Sequence, residues 1–180
     1  MHASFTSLSR TVLALCLPLA LSACAAMSDA PPPPRTLDDV LATATTAMVD
    51  ANPRLSDYDP LIPTTVVDID DLNLSSTLGR LASEIVAARL TEAGLRVREV
   101  RLRGQLYSEE YTGELMLSRL AQRVGIDQGG RSLLVGTYAV GEDRLYLTFR
   151  IVRTSDANAL AAAQVSLPLT NDLRAMLDRW

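Results

Sequence analysis

The chain is predicted to fold as an α/β (α+β) two-layer sandwich, with helices packed on one mixed sheet. Residues 64–102 read as strand, helix, strand; residues 131–169 hold three consecutive β-type runs; an amphipathic helix pattern stands at either end of this region. A strand-helix-strand unit supplies a parallel crossover and consecutive short-linked strands supply an antiparallel meander, so both pairing types enter one sheet.

The first helix is predicted in "TLDDVLATATTAMVDANP", where Leu37, Val40, Leu41, Ala44 and Met48 recur at helical spacing. Thr36 is its candidate cap, Asp38 and Asp39 occupy the first turn, and Asn52-Pro53 ends it. "TTVVDI" follows as a short, buried, β-branched strand entered after Pro63. In "LSSTLGRLASEIVAARLTEAG", Leu74, Leu78, Leu81, Ile85 and Ala88 form one face, Ser75 is the candidate cap and Gly94 closes the helix. "LRVREVRL" returns to a β pattern whose apolar phase slips between Val97 and Val100, which predicts a bulge or twist near Glu99.

"LYSEEYTGELMLS" reads as a small hairpin turning at Thr112-Gly113, and "SRLAQRVG" as a short helix capped by Ser118. From Arg131, "RSLLVGTYAVG", "RLYLTFRIVR" and "ALAAAQVSLPL" form the meander, joined by turns around "EDR" and "TSDAN". "NDLRAMLDRW" is the last helix, with Leu173, Met176, Leu177 and Trp180 on one face. Trp180 suits core or flank packing better than a docking role.

Ahead of these elements, "LALSACAA" ends an apolar run on a cysteine. Arg10 and the amino terminus are positive, Thr11 to Ala20 are apolar, and Ser22 and Ala23 are small, which is the layout of a secretory signal. The run is shorter than the roughly 20 residues that cross a bilayer and is broken by Pro18. Leu21-Ser22-Ala23-Cys24 resembles the bacterial lipoprotein box, and the resemblance makes residues 1–23 a signal peptide and Cys24 the lipid (palmitate) attachment site. Ala25 is not the aspartate that in enteric lipoproteins favours inner-membrane retention, so the expected location is the outer membrane, facing the periplasm. Residues 24–35 carry four consecutive prolines and read as a tether, extended at about 3.1 Å per residue. Residues 36–180 form the single expected domain.

Composition removes several classes of chemistry. The net charge of -4 argues against nucleic acid as a partner. His2, Cys16 and Cys24 are the only histidine and cysteines, and all fall in or beside the signal, so residues 36–180 offer no catalytic triad and no thiolate or imidazole zinc site. All 17 basic residues are arginine, and nothing physical explains that.

Carboxylate chemistry stays open at "VVDIDDLN". A strand ending in Asp-x-Asp resembles the first motif of the haloacid-dehalogenase phosphatases, in which Asp68 would be nucleophile and Asp70 acid/base about a magnesium ion. Leu72 and Asn73 depart from that motif, there is no lysine for the phosphoryl group, and no later strand ends in paired aspartates. As a calcium loop the stretch fails at Asn73 and Gly79, where glycine and glutamate are required. The plainer reading places Asp68, Asp70 and Asp71 at a strand end beside a helix amino terminus. No metal, cofactor or small-molecule substrate is expected. Arg96, Arg98, Arg101 and Arg103 crowd one strand and are the candidate partner-binding residues, set against the plainer reading of a solvated face. Reversing Arg96 and Arg98 is expected to leave folding intact.

From Thr64 to Leu167, "VVDIDDLNLSSTLGRLASEIV", "GLRVREVRLRG", "GELMLSR" and "LLVGTYAV" resemble, in order and spacing, the FlgO domain of bacterial envelope lipoproteins linked to the flagellum. The resemblance implies a non-enzymatic outer-membrane lipoprotein that supports flagellar assembly, stability or motility, with envelope or basal-body proteins as partners. Similar α/β domains serve the curli secretion pore and the activation of cell-wall synthases, so an envelope accessory role of that kind is the alternative.

Overall fold

The computed structural model describes residues 35–72, 74–99, 123 and 127–178. These belong to the unit Arg35–Trp180. In chain order they form helix α1 (Leu37–Ala51), a 3-10 turn (Leu55–Tyr58), strands β1 (Leu61–Pro63) and β2 (Val67–Asp68), helix α2 (Thr77–Glu92), strands β3 (Ser132–Val140), β4 (Arg144–Arg153) and β5 (Ala159–Pro168), and helix α3 (Asn171–Leu177). The strands make one mixed five-stranded sheet in the order β1-β3-β4-β5, with β2 also paired to β3. The α+β sandwich predicted from the sequence is the fold observed.

Helix α1 begins where its sequence requires. Thr36 and Asp39 form a reciprocal capping box, and Val40, Leu41, Ala44 and Met48 are buried. Helix α2 departs from expectation. Its cap is Ser76, not Ser75, so Leu74 precedes the helix. Its buried face is Leu78, Ala82, Val86 and Leu90 with Gly79 and Ser83, while Leu81 is 39% exposed. The reason is steric. The large aliphatic side chains suggested a face through Leu81, but Gly79 and Ser83 are the positions turned to residues 64–66, where a Cβ at 79 would strike the Val66 carbonyl, and that contact carries Leu81 to the outer side. Gly94, at φ +94, closes α2 as predicted.

The strand expected over 64–69 is two short strands. Leu61–Pro63 pairs in parallel with 132–134 and Val67–Asp68 with 137–138, so residues 64–66 stand opposite only two residues of β3. This is a one-residue bulge. The strand starts before Pro63 because backbone pairing alternates sides: Leu61 N–H donates away from β3 to Arg96 O (2.9 Å), whereas Thr64 N–H donates to Leu134 O (2.9 Å). Pro63 therefore lacks its N–H on the side away from β3. Thr64 and Val66 are buried in the bulge, and Ser83 Oγ of α2 donates to Thr64 O at 2.7 Å.

The second strand of the crossover is also shorter than expected. Among the described residues of "LRVREVRL" only Val97 pairs, as a parallel bridge to Leu61. The slip expected near Glu99, the hairpin at Thr112-Gly113, the helix from Ser118 apart from Arg123, and Trp180 fall on or run into residues outside those described.

The meander is as predicted. β3 pairs with β4 from Ser132↔Arg153 to Val140↔Leu145, and β4 with β5 from Arg144↔Pro168 to Val152↔Ala159, with Leu160 bulged. Strict alternation sends Leu145, Leu147, Phe149 and Ile151 of β4 to one face, where they are fully buried under the helices. Gly136 lies opposite Phe149, and a Cβ there would stand 2.9 Å from Val66 Cγ2 and 3.2 Å from the Phe149 ring, so absence of a side chain lets ring and bulge meet. Leu173 of α3 is buried in the same core. The other face carries Arg144, Tyr146, Thr148 and Arg150 at alternate positions of β4.

Candidate partner-binding surface

The predicted arginines come from the turn after α2. Leu95 and Val97 point inward and Arg96 and Arg98 are exposed, the alternation expected of an extended segment. Arg96 N–H donates to Asp59 Oδ2 at 3.0 Å, and its Nε lies 3.4 Å from the same oxygen. The Asp59 side chain is only 5% exposed and the Arg96 side chain 78%, so a buried carboxylate is held by a backbone amide and by the inner edge of an outward-facing guanidinium. Arg98 Nη1 donates to Gln128 O at 2.8 Å.

A third arginine joins this corner. Arg131 is exposed, and its backbone N–H donates to Pro60 O at 2.9 Å, placing it across residues 59–61 from Arg96. Its backbone is pinned, because Thr154 N–H donates to Arg131 O at 3.1 Å and Thr154 Oγ1 to Gly130 O at 2.8 Å. Nearby Arg153 places Cζ 5.4 Å from the Tyr58 ring centroid and Nε 3.1 Å from Asp156. Sequence reasoning missed Asp59, Arg131 and the Tyr58–Arg153 pair. The only signal was "YDP" ahead of the first strand, since Arg131 is seventy residues from it along the chain.

Two of the four proposed residues, Arg96 and Arg98, are thus on one exposed corner. Arg101, Arg103 and Cys24 lie outside the described residues. The expectation that reversing Arg96 leaves folding intact is corrected here: a glutamate would bring a second carboxylate against buried Asp59.

The Asp68–Asp70 motif builds a turn. Asp70 N–H donates to Asp68 Oδ1 at 2.8 Å, Asp68 N–H to Leu74 O at 3.0 Å, and Leu74 N–H to Asp71 O at 2.9 Å, so one oxygen of the would-be nucleophile is tied into the loop. Among the described residues no group of three or more His, Cys, Asp or Glu is placed to hold a metal ion, and no helix is long and apolar enough to cross a membrane.

Charge elsewhere fastens helices. Arg89 Nη2 of α2 lies 2.6 Å from Asp38 Oδ2 of α1, and the hydrogen bond from that pairing raises the Arg89 pKa. The Asp39 carboxyl is held below its usual range, first by the Thr36 backbone N–H and then by the Thr36 hydroxyl.

Together these features define a class: an open, mixed-sheet α+β sandwich with α1, α2 and α3 on one face, a bulged first strand and an arginine corner. The FlgO protein family matches residues 42–172, from within α1 to the start of α3, and the chain belongs to that family. The fold is similar to the C-terminal domain of LpoB from Escherichia coli, at 12% identity and a TM-score of 0.52 over 74% of this chain and 98% of that one. It is also similar to lipoprotein GNA1162 from Neisseria meningitidis, at 15% identity and a TM-score of 0.46 over 62% of this chain and 81% of that one. No curated protein matches the sequence.

Proposed function

We propose that this protein is a non-enzymatic lipoprotein of the bacterial outer membrane, anchored through acylated Cys24 and facing the periplasm, that supports flagellar assembly, stability or motility by protein contact. The observation that carries the reading is the family match over residues 42–172, which runs from within α1 to the start of α3. The lipobox ending at Cys24 supports the anchor, and the lack of histidine and cysteine in residues 36–180 supports a role without nucleophilic catalysis. A tether of residues 24–35, at about 3.1 Å per residue, keeps the domain within a few nanometres of its membrane, so partners belong to the envelope or the outer part of a basal body. The exposed guanidiniums of Arg98 and Arg131 are the groups offered to such a partner.

Metabolic labelling with a fatty-acid probe should mark the wild type and not Cys24→Ser, and deletion should reduce swimming in a way that wild type restores and Cys24→Ser does not. Equal labelling of both forms overturns the anchor. Normal motility after deletion overturns the flagellar role and favours the alternative, an envelope accessory factor for secretion or cell-wall synthesis. Magnesium-dependent hydrolysis of a phosphate ester, lost in Asp68→Asn, would overturn the non-enzymatic reading.

A further inference from the structure

Strand β5 is one edge of the sheet: the order is β1-β3-β4-β5, and among the described residues no strand pairs with its outer side. The bonding of that side follows from the register. Leu169 N–H donates to Asp143 O at 2.8 Å, one step beyond the pair Arg144↔Pro168, and backbone bonding in an antiparallel ladder alternates residue by residue. Ala161, Ala163, Val165 and Leu167 therefore bond to β4, while Ala162, Gln164 and Ser166 turn their N–H and C=O groups outward. The free stretch has defined ends. At one, the carbonyl of bulged Leu160 already accepts a hydrogen bond from Asn52 Nδ2 at 3.1 Å; at the other, Pro168 has no N–H to offer.

Between those ends nothing discourages pairing. Exposed edges are usually guarded by charge, proline, a bulge or a covering element. Residues 161–167 contain no charged residue and no proline, Ala162 and Gln164 are exposed, and the bulge lies outside them at Leu160. Donors and acceptors recurring at every second residue match an extended backbone, not a helix, whose own groups are used internally. A second copy of the chain does not fit. Antiparallel pairing of two β5 edges puts both α1 helices on the same side of the seam, and α1 packs on β5. Neighbouring strands lie about 4.8 Å apart, whereas packed helices need about 8–10 Å between their axes. Parallel pairing about a two-fold axis sets the outward residues of the two copies level, where a parallel ladder needs them staggered by one residue.

We propose that the outer edge of β5 takes up an extended segment of a partner protein as an additional strand, held by the backbone groups of Ala162, Gln164 and Ser166. The addition is antiparallel, as β3–β4 and β4–β5 are and as the stronger ladder requires. Opposite residues 162–166 the segment is uncharged, because small or neutral side chains line β5 on both faces. Opposite Leu160 a proline costs it nothing, since the carbonyl that an N–H there would meet is already bonded to Asn52. This edge lies across the sheet from β1, where Arg96 bonds, and the proposal does not depend on the flagellar assignment.

The test uses the full chain in detergent and, as probe, a fluorescent peptide with the sequence of residues 159–168. Freed from α1, this sequence can pair with β5 where a second copy cannot: laid antiparallel about Gln164, it sets Ala162 against Ser166 and its own proline against the occupied Leu160 carbonyl. The peptide should bind, and the same peptide N-methylated at every residue from Ala162 to Ser166 should bind at least tenfold more weakly. Gln164→Pro removes one outward N–H and no bond to β4, and should weaken binding at least tenfold with unchanged circular dichroism. Gln164→Ser keeps the backbone and should bind within threefold of wild type. The register has its own readout, whether or not Gln164→Pro folds. Gln164→Glu should prefer a peptide with lysine in place of the glutamine over one with glutamate, by about fivefold more than wild type does. Equal binding of the methylated peptide, or a preference in Gln164→Glu no greater than that of wild type, overturns the proposal. So does reversible dimerisation of the full chain that Gln164→Ser preserves and Gln164→Pro abolishes, which would give the edge to a second copy.

Discussion

The Cα of Gly79 in α2 faces the backbone carbonyl of Val66 in the bulge so closely that a Cβ would collide with that oxygen. One turn on, Ser83 Oγ donates to Thr64 O at 2.7 Å, so the helix meets the bulged strand through one bare backbone position and one hydroxyl. Gly79→Ala gains about 1 kcal/mol of helix propensity but forces backbone against backbone, an overpacking cost of about 3 kcal/mol or more. The collision wins, because a carbonyl cannot rotate aside as a side-chain tip can. Thermal unfolding should fall by several degrees in Gly79→Ala. An unchanged midpoint would show that helix and strand slide apart at no cost.

The hydroxyl makes a separate prediction. Ser83→Ala leaves the Thr64 carbonyl without its buried partner and should cost about 1–2 kcal/mol in urea unfolding. Ser83→Thr keeps the hydroxyl but adds a methyl at the same tight approach, so it should not restore full stability.

These two residues explain why the sequence misled about α2 while announcing most other elements. Leu81, Ile85 and Ala88 keep helical spacing, and apolar spacing alone does not say which stripe faces the sheet when the close-packed stripe is made of Gly79, Ala82, Ser83 and Val86. The meander was legible because β3 to β5 are long, β4 alternates along most of its length and the turns between them are short. The bulge at 64–66 was not, since it depends on the register with β3, some seventy residues away. The arginine strand was legible as charge, but its partner Asp59 and its neighbour Arg131 come from two other parts of the chain.

The Arg96–Asp59 contact separates structure from docking on the arginine corner. Arg96→Glu should destabilise the domain by about 1–2 kcal/mol, because it sets a like charge beside a carboxylate already removed from water. Arg98→Glu and Arg131→Glu, exposed and away from Asp59, should stay within about 0.5 kcal/mol of wild type. Urea titration of the three variants checks the order, and equal losses for all three would remove Asp59 as the cause. Motility tests of this surface therefore belong on Arg98 and Arg131.

The β4–β5 turn offers a change of opposite sign. Ala157 has φ +57, a conformation that costs a residue with a Cβ about 1 kcal/mol and costs glycine none. Its neighbour Asn158 donates from N–H and from Nδ2 to the Asp156 carboxylate at 3.1 and 2.7 Å, which holds the turn in place whatever stands at 157. Ala157→Gly relieves the backbone and loses part of that gain to unfolded-chain entropy, so it should stabilise by about 0.5 kcal/mol. A lower unfolding midpoint in Ala157→Gly would show that the turn is not strained.

Acid should loosen α1 before the sheet. The Asp39 carboxylate accepts hydrogen bonds from Thr36 N–H at 2.9 Å and from Thr36 Oγ1 at 2.7 Å, and these bonds hold its pKa below the usual carboxylate value, the backbone bond first. A group whose pKa is lowered by folding binds fewer protons in the native state than in the unfolded chain. Its contribution to stability is therefore complete above about pH 5, declines as the pH falls through the ordinary carboxylate range near 4, and is lost below the folded value. The box is exposed, so the effect is local fraying at the amino end of α1 and not global unfolding. Amide exchange at Asp38 to Leu41 should rise relative to that of β4 as the pH drops from 5 to 3, after correction for intrinsic rates. Asp39→Asn should show the faster exchange already at pH 6 and no further pH-dependent step. If protection at Asp38 to Leu41 tracked that of β4 through the same range, the capping box would contribute nothing to holding the helix start.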